Sequence, residues 1–130
     1  MMTTVQALVW CGILTLLMAI VQLTLCAKAW TPQGLLEAFG NREALPTPLG
    51  MAGRADRAFR NMIQGMVIFL ALVLAAHIAG KASQAAFGAT IFFWARLVYW
   101  PVYLAGIVYL RTAVWFVSII GLILILKEIW

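Results

Sequence analysis

Residues 54–65 read RADRAFRNMIQG, and residues 66–76, which follow directly, read MVIFLALVLAA. Three of the chain's nine cations, Arg54, Arg57 and Arg60, therefore stand at the entrance to an apolar run. On a helix, at about 100° per residue, Arg54, Arg57, Arg60, Asn61 and Gln64 fall within an arc of roughly 120°. That is one polar face reaching about two to three turns into a span. Anchoring by cations at a membrane boundary accounts for Arg54 and Arg57. It leaves Asn61 and Gln64 unexplained, because polar groups inside a membrane need partners and point to a site or to contacts between helices. Asp56 lies to one side, four residues before Arg60, a spacing that suits a structural ion pair.

The rest of the chain supports a lipid setting. Of its 130 residues 65% are hydrophobic and only 10% charged, more apolar surface than a soluble domain of this size can bury. The net charge of +5 forms no basic patch on a polar background, which sets nucleic acid aside. Charges and turn residues mark four spans, at about residues 4–29, 54–80, 84–110 and 112–130, making one all-α, four-helix integral membrane bundle. The last span is short in its uncharged part, and Arg111 and Lys127 can reach the interface from its ends. Pro101 falls inside span three, where neighbouring helices can satisfy the freed backbone groups, so that span reads as one helix. Cys11 and Cys26 are too far apart on one helix to pair and read as small buried hydrophobes. The start, MMTTVQ, carries no Lys or Arg, which disfavours a cleavable leader.

Residues 30–53 form the one long connection, in which PQGLLEAF suits a short interfacial helix with Pro32 in its first turn. A loop of this length serves either as a membrane-surface connector or as a gate. Lys28, Arg42, Arg54, Arg57 and Arg60 cluster around it, against Lys81 and Lys127 opposite, so the positive-inside rule places this loop in the cytoplasm. Arg111, in the third loop, then returns to the same membrane level.

Span three carries a second stripe. Arg96, Tyr99 and Tyr103 are spaced i, i+3, i+7, within about 60° on a helical wheel. A tyrosine belt does not explain an arginine on the same face with no carboxylate nearby in sequence. Trp94, Trp100 and Trp115 read as packing or belt residues. The chemistry suggested is anion binding, with guanidinium forks for carboxylates and Asn and Gln adding neutral hydrogen bonds. A phenol or a second arginine can also stabilise a thiolate. No metal site is expected, since the sole histidine, His77, has no further ligand near it and reads as an interfacial polar residue. No Ser-His-acid set and no phosphate loop occurs, and the absence of a carboxylate in span one argues against a small multidrug exporter.

RADRAFRNMIQ opening span two, RLVYWPVY in span three, four spans and a long first loop together resemble the MAPEG family. These are membrane-associated proteins of eicosanoid and glutathione metabolism, and GRADRAFRN looks especially like their bacterial branch. The resemblance implies a homotrimer, in a bacterial inner membrane, with glutathione bound between neighbouring subunits near the cytoplasmic side. Carried over by position, Arg57, Asn61 and Gln64 hold glutathione from span two. Arg96, Tyr99 and Tyr103 face it from the neighbour's span three, Lys28 stands for a basic residue at the end of span one, and Arg111 activates the thiol, with Tyr103 as the competing activator. The implied activity is a glutathione-dependent transferase or peroxidase acting on hydrophobic electrophiles that arrive from the lipid. Two departures stand out. Gln64 occupies a position where relatives commonly carry Glu to meet the glutathione ammonium, and Phe59 one where His or Gln is frequent. Both fit the alternative, a non-catalytic member that binds lipid.

Overall fold

The computed structural model describes residues 1–41 and 47–130. Arg42, counted above among the cations of the first loop, lies outside the described residues. Among those described there are five helices and no strand: α1 (Thr4–Ala27), α2 (Pro32–Phe39), α3 (Gly50–Ile78), α4 (Ala82–Ala105) and α5 (Val108–Ile129). All but α2 are long and apolar enough to cross a membrane.

Local chemistry sets the ends of these helices. Thr3 caps α1 through a reciprocal box with Gln6, the hydroxyl accepting from the Gln6 amide while the Gln6 side chain accepts from Thr3. Thr31 caps α2, with Pro32 following in the first turn. Gly80 and Gly106, at φ +72° and +77°, terminate α3 and α4 in the same way. At each, the amide of the glycine and that of the next residue fold back onto carbonyls three and five residues earlier, closing the helix with a left-handed turn.

The observed boundaries depart from the sequence reading at two joints. Span two was expected to open at Arg54, whereas α3 begins one turn earlier at Gly50. The break between spans three and four was expected at Arg111, whereas it falls at Gly106 and Ile107. The apolar residues 107–110 belong to the next helix, and Arg111 sits in its first turn rather than in a loop. Glycine's access to the left-handed region at Gly106 decides the break. Pro101 stays within a continuous α4.

α4 and α5 form the most extensive pair, a hairpin with a two-residue turn. Their backbones meet at Gly88 and Gly121, where a Cβ on either would lie 2.6–2.8 Å from the other's carbonyl oxygen. Close backbone approach through small residues is how helices associate when lipid removes the hydrophobic drive. Alanines continue the theme at Ala7, Ala58, Ala76, Ala85 and Ala89, all fully buried, around a stacked Phe69–Phe92 pair 4.3 Å apart. Large side chains such as Leu16, Val67, Leu70 and Leu74 face outward instead.

α1 runs antiparallel to α3. Thr4 Oγ1 meets His77 Nε2 at 3.0 Å at one end, and Gln22 Nε2 donates to Asp56 at 3.0 Å at the other. The second Asp56 oxygen pairs with Arg60 Nε at 3.0 Å. Asp56 and Arg60 are thus the structural i,i+4 pair that their spacing suggested. The bundle has two chemically distinct ends, here called the Arg54 end and the His77 end.

Candidate functional site

Arg96 forms the floor of the site. It is 2% exposed, on the face of α4 that looks between α3 and α5. Its guanidinium carbon lies 5.3 Å from the ring centroids of both Phe92 and Tyr99. Nη1 donates to Asn61 Oδ1 on α3, while Nε is buried and has no partner among the described residues. Gly65, one turn beyond Asn61, makes the room: a Cβ there would come within 2.7 Å of Arg96 Nη2. A buried cation held by one neutral amide is an incomplete arrangement, since buried charge is costly until its donors are used.

Toward the Arg54 end, Tyr99 and Tyr103 meet edge to face at 5.4 Å, and the Arg111 guanidinium lies 4.6 Å over the Tyr103 ring. These groups, with Asn61, Thr112 and Trp115, line a cleft of about 240 Å³. A second, deeper cleft of about 130 Å³ is lined by Asn61, Gln64, Gly65, Arg96 and Trp115, with Ile68, Ile119 and Leu122 as its apolar part. Asn61 and Trp115 border both. On α5 the lining residues Arg111, Trp115, Ile119 and Leu122 follow helical spacing, so one face grades from cationic to apolar with depth.

The structure brings Asn61, Gln64, Arg96, Tyr99, Tyr103 and Arg111 to these two clefts. The two stripes meet within one chain through the Arg96–Asn61 bond. Arg57 and Lys28 line neither cleft. Both are exposed, Arg57 beside Gly53 on the first turns of α3 and Lys28 in a left-handed conformation at the end of α1. Arg54 acts elsewhere too. Its Nε donates to the Leu104 carbonyl at 2.9 Å, and its side chain passes 3.7 Å from where a Cβ on Gly106 would stand. A cation on the last carbonyls of α4 suits the negative end of the helix dipole. Arg54 thereby ties the start of α3 to the Gly106 turn that leads into α5, whose first turn holds Arg111.

Sequence reasoning missed three contributors. Trp115, expected to pack or sit in a belt, borders both clefts; its position four residues after Arg111 was the available signal. Thr112 lines the outer cleft, and Gly65 contributes only space. Among the described residues no cluster of His, Cys, Asp and Glu could hold a metal ion.

With this geometry established, a comparison with protein-family models matches residues 7–128 to the model described as MAPEG family. No curated protein and no solved structure matches the chain.

Proposed function

The chain belongs to the MAPEG family, and from that premise we propose that it is a membrane-bound, glutathione-dependent transferase or peroxidase acting on hydrophobic electrophiles from the lipid. The observation that carries the proposal is Arg111 over Tyr103 in the outer cleft, with the under-bonded Arg96 lining the inner cleft that shares Asn61 and Trp115 with it. A free thiol with a pKa near 8.5 is mostly protonated at neutral pH, and a guanidinium beside the sulfur favours the thiolate. The proton leaves to water in the open cleft. The sulfur then attacks the electrophile, forming a C–S bond as the leaving group departs with its electron pair. With a lipid hydroperoxide the thiolate attacks the terminal oxygen, the O–O bond breaks, and the alkoxide leaves and takes a proton to become the lipid alcohol. A second thiol then displaces water from the sulfenic acid so formed, giving the disulfide.

The site is proposed to be finished by neighbouring copies in a homotrimer. Each cleft alone is smaller than the roughly 300–1,000 Å³ usual for a ligand pocket. Arg57 and Gln64 are exposed and make no hydrogen bond to a described residue, a costly state for side chains of a spanning helix. Lys28 and Arg57 contribute only from such a boundary. Cations concentrated at the Arg54 end support a cytoplasmic first loop, and the likeness of GRADRAFRN to bacterial relatives supports a bacterial inner membrane.

A second reading, a lipid-binding member without chemistry, draws on the apolar depth of the inner cleft and on neutral Gln64. Calorimetric titration of the detergent-solubilised protein with glutathione, followed by ultraviolet difference spectra at neutral pH, separates the two. Binding with a thiolate band supports the enzyme. Binding without thiolate or turnover supports the scaffold, and no binding removes glutathione from the account.

A further inference from the structure

The charge inventory of the clefts is one-sided. Arg96 and Arg111 are cationic; Asn61, Gln64, Tyr99, Tyr103 and Thr112 are neutral. Among the described residues no carboxylate lines either cleft. The acids that are placed all lie elsewhere. Asp56 has one oxygen on Arg60 and the other on Gln22, toward α1. Glu37 belongs to α2, which packs against α1 alone. Glu128 lies near the far end of α5, roughly 25 Å from Arg111 at 1.5 Å per residue.

The acceptors are all neutral, the hydroxyls of Tyr99, Tyr103 and Thr112 among them. Asn61 Oδ1 already accepts from Arg96, so the remaining end of that amide is a donor. Tyr103 lies beneath the Arg111 guanidinium, a poor place for a second cation. The Gln64 carbonyl is left as the one neutral side-chain amide acceptor on the α3 wall. An ammonium bound here would face two guanidinium groups and, among the described residues of this chain, no opposite charge, whereas carboxylates and a thiolate would find donors throughout.

We infer that the site recognises the anionic groups of its thiol co-substrate and makes no demand for a free amine. Thiols whose α-amine is acylated or absent are then bound as well as glutathione or better. This rests on the thiol-transferase reading proposed above and narrows its substrate class to polyanionic thiols.

The test is calorimetric titration of the full-length protein in detergent with glutathione and with N-acetylglutathione, for wild type and Gln64→Glu. Wild type should bind the N-acetylated thiol at least as tightly as glutathione. Gln64→Glu should invert that order, tightening glutathione and weakening its acetylated form. A preference of wild type for glutathione of about tenfold or more, equivalent to about 1.4 kcal/mol, overturns the inference by placing an acid against the ammonium. That comparison stands whether or not the variant folds. Binding of neither thiol overturns the glutathione reading itself and the inference with it.

Discussion

The two ends of the bundle both hold cavities, and the larger one is not the site argued for above. At the His77 end, about 520 Å³ opens among residues 1–5, His77 on α3 and Ala82, Ser83 and Ala86 on α4. Its walls are mainly apolar, and the side chains that reach across it between helices are paired: His77 with Thr4, and Thr90 with the Met2 backbone through both N–H and C=O. At the Arg54 end the clefts are smaller, but a buried guanidinium keeps an unused donor. Paired polar groups hold helices together, while an unpaired buried donor beside a cavity marks an arrangement that helix packing alone does not account for. Chemistry, not volume, separates the ends.

Five substitutions break or sharpen this contrast. Arg111→Ala should have the largest effect: loss of the thiolate band on adding glutathione and a fall in kcat of about 100-fold or more with a generic aryl halide, with binding largely kept. Tyr103→Phe, measured beside it, decides which group donates to the sulfur. Arg96→Ala should weaken glutathione binding more than tenfold, within the roughly 1.5–3 kcal/mol of a charged hydrogen bond, as read by calorimetry. It also removes the packing between Phe92 and Tyr99, so melting temperature should be followed in parallel. Arg54→Gln should lower thermal stability and cause a smaller, severalfold loss of turnover, because it loosens the Leu104 contact without touching the cleft. His77→Ala should leave binding and turnover unchanged and cost about 0.5–1.5 kcal/mol of stability, the usual worth of one neutral hydrogen bond. A loss of activity from His77→Ala equal to that from Arg96→Ala would erase the distinction between the ends.

Much of this contrast was legible in the sequence. Arg96, Tyr99 and Tyr103 announce a shared helix face by spacing alone, and Asn61 and Gln64 extend the arginine stripe deeper than anchoring requires. PQGLLEAF is the whole of α2, because Thr31 and Pro32 signal its start unambiguously. What spacing within one helix does not contain is which helix lies opposite. Trp115 belongs to the site only because α5 crosses there, and Gly65 matters only because Arg96 fills the space above it. Arg54 looked like a membrane anchor because its partner is a backbone carbonyl, invisible in any pattern of side chains. The Gly106 turn was hidden by apolar residues on both sides, which moved the expected break between two helices on to Arg111.

The hairpin of α4 and α5 has a consequence for how the protein comes into being. Its two-residue turn makes loop closure inexpensive, so this pair can associate as soon as both helices exist. Arg111, Trp115, Ile119 and Leu122 all lie on the second helix of this pair, so both clefts gain their α5 wall only when the hairpin closes. The arginine-rich start of α3 comes earlier in the chain than that wall. A polypeptide stopped before α5 would carry Arg54, Arg57, Arg60 and Asn61 with neither cleft formed around them.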